Sequence, residues 1–160
     1  MSVIAVARGT GQLGRSIVET LLANGNYKVI ILARKANQVA QEAIEAPVIP
    51  LNYANVDDIT SALEAHNVHT LISTIVTMND VEPELNLIKA ADKSATTKRF
   101  VPSYWATDYP AEFRDTFFVA KNKFQALNAL ESTSLEYAAF VFGYFLDYFV
   151  APHVKSHLNP

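Results

Sequence analysis

The chain has 160 residues, of which 50% are hydrophobic and 18% are charged, and its formal net charge is -3. This length suits one domain with a sizeable buried core, and the absence of a basic excess argues against direct binding of nucleic acid. There is no cysteine, which excludes disulfides, thiolate catalysis and zinc–thiolate sites. The first residues lack the pattern of a signal peptide, so we expect a cytoplasmic protein.

Short apolar runs alternate with amphipathic segments along the chain. The predicted strands are Val3–Ala7, Tyr27–Ala33, Val48–Leu51, Thr70–Ile75, Arg99–Pro102 and Leu135–Phe142. The predicted helices are Leu13–Ala23, Asn37–Ile44, Ile59–His66, Glu82–Asp92, Ala111–Glu131 and Tyr144–Leu158. We expect Asp57 or Asp58 to cap the helix that begins at Ile59.

The alternation of strand and helix predicts the fold class. Several strands are near-continuous runs of Val, Ile and Leu, which is typical of strands covered on both faces. We therefore predict an α/β domain over residues 1–160, a doubly wound parallel sheet with helices on both faces. Right-handed crossovers make 3-2-1-4-5-6 the expected strand order, which is that of a Rossmann fold.

Two features of the C-terminal segment are interpreted as structural. The most apolar tract, Ala138–Ala151 (AAFVFGYFLDYFVA), contains Asp147 and is shorter than the roughly 18 apolar residues that span a membrane. We expect a core strand followed by a buried helix, and no membrane contact. His153 and His157 are spaced to share a helix face, but no third ligand stands at a suitable spacing, so we predict no metal site.

A glycine-rich segment joins the first predicted strand to the first helix. Gly9, Gly11 and Gly14 have the spacing G-x-G-x-x-G in the sequence GTGQLG. In dinucleotide-binding units the first glycine makes a tight turn, the second lets the backbone approach the pyrophosphate, and the third lets the helix pack on the strand. The strand before it and the helix after it favour a nucleotide-binding loop; the alternative is a turn without a ligand.

The end of the second predicted strand indicates which dinucleotide is bound. NAD sites usually carry Asp or Glu about 20 residues beyond the loop, where this chain has Arg34 and Lys35. A guanidinium and an ammonium favour a 2′-phosphate, so we predict NADP(H). The alternative is two solvated charges in a loop.

Several motifs in a fixed order connect the chain to a known family. They are VARGTGQLG, an arginine after the second strand, TLISTI, LNLIKAA, KRFVPS, a lysine-bearing helix and GYFLDYF. The chain resembles the atypical short-chain dehydrogenase/reductases of the NmrA-like and isoflavone-reductase-like group, and Lys98–Pro110 (KRFVPSYWATDYP) is similar to the fungal members. Members are usually longer, with a smaller C-terminal substrate part that this chain would largely lack.

The resemblance implies an NADP(H)-binding oxidoreductase and gives roles to residues by position. The glycine loop would hold the pyrophosphate, Arg34 the 2′-phosphate, and Lys121 would be the catalytic lysine. Residues after the fourth strand would lie near the ribose and nicotinamide, and residues after the fifth would flank the nicotinamide. The expected cofactor-binding residues are Gly9, Thr10, Gly11, Gln12, Leu13, Gly14, Arg34, Lys35, Ser73, Thr74, Pro102, Ser103, Tyr104 and Lys121.

This chain departs from the family pattern at several positions. In the family spacing G-x-x-G-x-x-G the first glycine falls on Arg8, whose side chain could pair with a phosphate or obstruct the site. The reductases usually read Ser-Glu-Phe-Gly where this chain reads SYWA, residues 103–106. Position 117 is Phe, so the Tyr-x-x-x-Lys pair of the broader superfamily is absent.

Two functions remain compatible with these residues. The leading hypothesis is an NADPH-dependent reductase that transfers hydride to a small organic substrate, aromatic or unsaturated, with Lys121 assisting proton transfer. The alternative is a redox-sensing regulator that binds NADP(H) without turnover and acts through a protein partner. A decayed copy that binds nothing is a third interpretation, and a homodimer is compatible with the sequence.

Overall fold

The computed structural model of the chain describes residues 1–34, 44–143 and 145. The strands are β1 (Val3–Ala7), β2 (Lys28–Ala33), β3 (Val48–Pro50), β4 (Val68–Ser73), β5 (Arg99–Val101) and β6 (Glu136–Tyr137). The helices are α1 (Gln12–Asn24), α2 (Val56–Ala65), α3 (Glu82–Lys93) and α4 (Phe118–Glu131). A 3₁₀ helix, Ala111–Phe113, precedes α4.

The six strands form one parallel sheet in the order β3-β2-β1-β4-β5-β6. This confirms the predicted Rossmann topology. Because β1 pairs with β2 on one side and with β4 on the other, the strand order reverses between β1 and β4. Ligands of such sheets bind at the carboxyl ends of the strands beside this reversal, so the fold itself indicates where to look for a site.

The sheet separates two apolar layers. On one face, Ile4 and Val6 of β1 belong to a buried cluster with Val18 of α1. On the other face, Ala5 and Ala7 belong to a larger cluster that includes buried residues of α2, α3 and α4. Alternate residues of a strand point to opposite faces, and the helices therefore cover both, as predicted. Each large apolar side chain buried in these layers stabilises the fold by about 1.5–3 kcal/mol.

The start of α2 differs from the prediction. The Asn55 side chain accepts hydrogen bonds from the N–H groups of Asp57 (3.0 Å) and Asp58 (3.2 Å), so Asn55 is the N-cap and the helix begins at Val56. The prediction that Asp57 or Asp58 is the cap was wrong, because asparagine caps a helix as well as aspartate does. The two carboxylates instead occupy the first turn, where the helix dipole favours negative charge.

The predicted helix Ala111–Glu131 is interrupted. After the 3₁₀ turn, residues 114–116 form a turn rather than a continuation of the helix. Phe117 has extended backbone (φ -109°, ψ 111°) and immediately precedes α4. Only the second part of the predicted helix is therefore continuous.

The last strand is also shorter than predicted. Leu135–Phe142 contains only the two-residue strand β6, followed by an isolated parallel bridge between Ala106 and Val141. The neighbouring β5 ends at Val101, and the following Pro102 has no N–H with which to extend the ladder.

Some predictions concern residues beyond the described ranges. The helix Asn37–Ile44, apart from Ile44, and the helix Tyr144–Leu158, apart from Phe145, lie outside the described residues, as do Lys35 and the pair His153 and His157. Among the helices that are described, none is long and apolar enough to cross a membrane. The described residues also contain no cluster of three or more His, Asp or Glu side chains that could hold a metal ion.

Candidate functional site

The glycine loop, residues 9–14, leads from the carboxyl end of β1 into α1. A Cβ atom added to Gly14 would lie 2.5 Å from the Arg8 carbonyl oxygen, 2.7 Å from the Thr74 Oγ1 and 2.8 Å from the Gly9 Cα. Two of these neighbours are backbone atoms, which cannot move without moving the loop. The absence of a side chain at Gly14 therefore lets α1 pack directly on the ends of β1 and β4.

The same loop leaves backbone donors available. Gly11 is the N-cap of α1 and makes no side-chain capping bond. Within the described ranges, the N–H groups of Thr10, Gln12 and Leu13 have no hydrogen-bond acceptor. Unpaired N–H groups and the positive end of the helix dipole together attract phosphate. Nothing larger than hydrogen projects from Gly11 to keep a ligand away from this backbone.

Arg8 adopts a conformation that glycine would adopt more easily. Its φ is 59°, in the left-handed region that disfavours residues with a Cβ. The Arg8 N–H donates to the Leu32 carbonyl (2.8 Å) and to the Tyr53 hydroxyl (3.2 Å). The Arg8 Cζ would lie 3.6 Å from a Cβ on Gly11. The arginine therefore stands at the family's glycine position with its guanidinium folded over the loop.

Tyr53 supports this corner of the sheet and was not identified from the sequence. Its hydroxyl donates to the Leu32 carbonyl at 2.7 Å while accepting from the Arg8 N–H. Burial raises the pKa of Tyr53 to about 12, so the hydroxyl stays protonated at neutral pH. The side chain thus ties the carboxyl end of β2 to the first residue after β1.

Ser73 and Thr74 lie next to the glycine loop, at the end of β4. The Thr74 N–H and Oγ1 both donate to the Ala7 carbonyl, at 3.1 and 2.8 Å. Ser73 is fully buried, and its hydroxyl donates to the Glu84 Oε2. Both side chains therefore engage the protein, and their contact with a cofactor stays a prediction.

The segment after β5 is held by three different elements. The Ser103 N–H donates to the Glu84 Oε1 (2.8 Å), and the Ser103 hydroxyl donates to the Ile75 carbonyl (2.6 Å). The Lys123 Nζ donates to the carbonyls of Ser103 (3.0 Å) and Tyr104 (2.5 Å). We call this set of contacts the Ser103 network.

The two charged members of the Ser103 network have perturbed acidities. Glu84, on α3, is 0% exposed, and burial raises its pKa to about 7 against the favourable hydrogen bonds from Ser73 and Ser103. Burial lowers the pKa of Lys123, on α4, to about 8, while the nearby Glu84 acts in the opposite direction. Both side chains can change protonation near neutral pH, at the edge of the sheet where a ligand is expected.

Trp105 extends this edge with aromatic surface. Its indole Nε1 donates to the Ser73 carbonyl (2.7 Å), and its ring stacks on Phe140 with centroids 5.4 Å apart and planes 4° apart. The Phe142 ring lies next to the same indole, with ring centroids 6.5 Å apart. Phe140 and Phe142 are exposed, so apolar surface continues outward from the end of β5.

The comparisons with known proteins identify the family. A family model described as NAD(P)H-binding matches residues 9–150. The chain belongs to this NAD(P)H-binding family. The match supports the prediction of a nicotinamide dinucleotide cofactor, and it begins at the first glycine of the loop.

Curated relatives of this NAD(P)H-binding protein are oxidoreductases. Over 97% of its length it is 36% identical to Oxidoreductase BOA1 of Botryotinia fuckeliana, covering 52% of that protein. Over 98% of its length it is 28% identical to Phenylcoumaran benzylic ether reductase PT1 of Pinus taeda, covering 53% of that protein. The chain spans about half the length of these relatives. The resemblance to the NmrA-like and isoflavone-reductase-like group is confirmed.

Solved structures show the same fold. A structure of pinoresinol-lariciresinol and phenylcoumaran benzylic ether reductases matches with a TM-score of 0.79 at 21% identity, covering 92% of this chain and 51% of that one. The leucoanthocyanidin reductase–NADPH complex from Vitis vinifera matches with a TM-score of 0.73 at 20% identity, covering 89% and 48%. Both confirm the Rossmann architecture.

The two lysines of helix α4, Lys121 and Lys123, differ in their exposure to solvent. Lys121, the predicted catalytic residue, is exposed, whereas Lys123 is partly buried against the segment after β5. Helical residues are spaced by about 100°, so side chains two positions apart leave on nearly opposite sides. A catalytic role for Lys121 stays a prediction, and the buried lysine of the pair is Lys123.

Sequence signals for Glu84 and Lys123 existed but are weak. Glu84 shares a helix face with the buried Leu87 and Ile88, and Lys123 lies three residues from the buried Ala120 and Ala126. A charged residue at an apolar position of an amphipathic helix indicates a buried partner. The partner in both cases, the backbone of Ser103, has no sequence signature.

Proposed function

We propose that the chain is the NADP(H)-binding part of a reductase that transfers hydride from NADPH to a small organic substrate, aromatic or unsaturated. The observation that carries the proposal is the glycine loop, whose free N–H groups and side-chain-free surface lie where the strand order reverses, in a member of an NAD(P)H-binding oxidoreductase family. A cytoplasmic location and a small-molecule substrate as the partner belong to the same proposal.

The loop residues fit the pyrophosphate of a dinucleotide. A Cβ on Gly9 would lie 2.9 Å from the Ile31 side chain and 3.1 Å from the Val6 carbonyl, so the turn is compact and close to β1. The N–H groups of Thr10, Gln12 and Leu13 would donate to phosphate oxygens. The positively charged Arg8, folded over Gly11, would add a cation beside the same oxygens.

The end of β2 favours NADP(H) over NAD(H). Arg34 is exposed and directly follows Ala33, the last residue of the strand. A carboxylate at this place would hold the ribose hydroxyls of NAD, whereas a guanidinium accommodates a 2′-phosphate. Arg34 would therefore bind the 2′-phosphate through paired, charge-assisted hydrogen bonds.

The segment after β5 would face the reacting end of the cofactor. NADPH, when bound, supplies the hydride. Pro102 and Tyr104 are buried and Ser103 is fixed by the Ser103 network, so this part of the chain would orient the nicotinamide ring. Phe117 provides no hydroxyl at the place of the superfamily's tyrosine. Lys121 would deliver the proton from its Nζ, and the substrate would then have to reach the exposed side of α4.

Calorimetric titration with NADPH and with NADH tests the cofactor part of this proposal. We expect both to bind and NADPH to bind more tightly. Absence of a binding signal with both NADPH and NADH would contradict the proposal that the chain binds a nicotinamide dinucleotide.

Turnover is tested by following NADPH oxidation with aromatic carbonyl, unsaturated and benzylic ether compounds, since one relative is named a phenylcoumaran benzylic ether reductase. Oxidation with at least one class is the expected result. Binding of NADPH without oxidation by any class would instead favour a redox sensor, whose partner should bind differently to the NADP⁺ and NADPH forms.

A further inference from the structure

The backbone of a single residue, Ser103, is bound by opposite charges from two helices. Its N–H donates to the Glu84 carboxylate of α3, and its carbonyl accepts from the Lys123 ammonium of α4. The same ammonium also binds the Tyr104 carbonyl. Charge-assisted hydrogen bonds are roughly twice as strong as neutral ones, so both polar groups of the Ser103 backbone are fixed firmly.

Fixing the Ser103 backbone in this way requires a charged group to be buried, which carries a desolvation penalty. Glu84 lies with no exposed surface beside Leu87 and Ile88, where an apolar residue would pack without a desolvation penalty. The carboxylate is satisfied only because Ser73 and Ser103 both donate to it. A buried carboxylate whose donors lie on β4 and just after β5 links the ends of two strands that flank the candidate site.

We propose that Glu84 and Lys123 are positioning residues that fix the backbone of Ser103 and Tyr104 at the carboxyl edge of the sheet, so that the nicotinamide end of the cofactor meets a preformed surface. Both act through Ser103 and Tyr104 and neither has to touch the cofactor. The part that concerns the nicotinamide rests on the proposed function, whereas the part that concerns the backbone does not.

Glu84 and Lys123 interact electrostatically. Lys123 favours the charged form of Glu84, after the hydrogen bonds from Ser73 and Ser103, and Glu84 also acts on the Tyr53 hydroxyl. Glu84 favours the charged form of Lys123, whose Nζ lies 5.4 Å from the centre of the Tyr104 ring. Removing either charge therefore removes an opposite charge that acts on the other.

Amide hydrogen exchange of the cofactor-free protein, measured by NMR, tests the hold on the backbone. Lys123→Met keeps the aliphatic stem and removes the ammonium; Glu84→Gln keeps one acceptor oxygen and removes the charge. We expect the amides of Ser103 and Tyr104 to exchange about tenfold faster in both variants, the factor for losing about 1.4 kcal/mol of local stability. Lys89→Met and Glu82→Gln, which change exposed residues of α3, are the matched controls. Exchange at Ser103 no faster than in these controls would overturn the proposal.

Two ligands separate positioning from general damage. NADPH carries the nicotinamide ring, whereas 2′-phospho-ADP-ribose keeps the adenosine half, the pyrophosphate and the second ribose and lacks only that ring. Lys123→Met should weaken NADPH binding about five- to tenfold, which corresponds to the net contribution of one typical hydrogen bond, and leave 2′-phospho-ADP-ribose binding unchanged. Equal weakening of both ligands, or unchanged NADPH affinity despite faster exchange, would overturn the positioning role.

The failure of the proposed function has a different signature. A wild-type chain that binds neither ligand would remove the reductase proposal and the nicotinamide part of this inference together. The exchange rates would still show whether Glu84 and Lys123 hold Ser103, because that measurement needs no ligand.

Discussion

The two ends of the candidate site are built by opposite means. At the glycine loop, close packing depends on absent side chains: a Cβ on Gly14 would meet three neighbours within 2.8 Å, and the surface presented to a ligand is backbone. At the end of β5, the backbone is held by added side chains, a buried carboxylate and a partly buried ammonium. The loop end therefore depends on glycines that lack side chains, whereas the β5 end depends on the charged side chains of Glu84 and Lys123, which lie on α3 and α4.

This difference decides how each end responds to change. The close contacts around Gly14 involve no titratable group, so this packing should be insensitive to pH but should not accommodate an added methyl group. The β5 end should respond to the protonation of Glu84 and Lys123. Four predictions, in order of decreasing effect, examine this contrast.

Gly14→Ala should have the largest effect. The new methyl group would lie 2.5 Å from the Arg8 carbonyl oxygen, and relief requires α1 to move away from the sheet. We expect a loss of about 2–3 kcal/mol in unfolding free energy, as for overpacked cores, measured by urea denaturation.

The matched control for this change is Gly11→Ala. A Cβ on Gly11 would approach the Arg8 carbonyl only to 3.3 Å, so we expect a loss of under about 1 kcal/mol, the helix-terminus and backbone contribution of glycine. Equal losses at both positions would show that packing at Gly14 does not distinguish this end of the site.

The pH dependence of stability should separate the β5 end from the loop. The pKa of Glu84 is raised from 4.5 to about 7, so the folded state holds the extra proton and stability falls as pH rises between these values. The pKa of Lys123 is lowered from 10.5 to about 8, so stability rises again between about 8 and 10.5. Lys123 and Tyr53 are the titratable groups acting on or near Glu84.

Denaturant titrations across this pH range measure the effect. Glu84→Gln should abolish the fall on the acid side and Lys123→Met the rise on the alkaline side, whereas Gly11→Ala should keep both. A Glu84→Gln profile that parallels the wild type between pH 4.5 and 7 would show that another group causes the fall.

Arg34→Gln should change cofactor preference more than stability. Loss of the guanidinium should weaken NADPH binding at least about tenfold, as expected for the roughly 1.5–3 kcal/mol of hydrogen bonds to charged groups, and leave NADH binding nearly unchanged. Lys28→Gln, at the amino end of the same strand β2, is the control. Parallel weakening of NADPH and NADH would exclude a 2′-phosphate contact.

Arg8→Gln should have the smallest effect. It keeps the backbone strain at φ 59° and removes only an exposed charge, so NADPH should bind about threefold more weakly, within the range of exposed ion pairs, and the difference should shrink as salt is added. Tighter NADPH binding would mean that the guanidinium obstructs the loop. Comparison with Arg8→Gly, which removes both the charge and the backbone strain, then separates the two contributions to NADPH affinity.

The same contrast explains what the sequence could predict. The glycine loop could be predicted from a local pattern, because Gly9, Gly11 and Gly14 lie within six residues between a predicted strand and a predicted helix. The strand order could be predicted from the alternation of strand and helix and from right-handed crossovers. The Ser103 network could not be predicted, because Glu84 and Lys123 lie 19 and 20 residues from Ser103 and meet it only through the packing of α3 and α4.

Two element boundaries differ from the prediction. Asn55 caps α2 ahead of the two aspartates, and extended backbone at Phe117 precedes α4 where a continuous helix was expected. Asparagine and aspartate cap helices about equally well, so residue type alone does not decide which of them begins a helix.

Trp105 gives the molecule an optical reporter. It is the single tryptophan of the chain, and it sits on the carboxyl edge of the sheet with its indole N–H bound to the Ser73 carbonyl and its ring face against Phe140. Indole emission shifts with solvent polarity and overlaps the absorption of reduced nicotinamides. Fluorescence of the unlabelled protein should therefore follow cofactor arrival in real time and, by energy transfer, distinguish the reduced from the oxidised form.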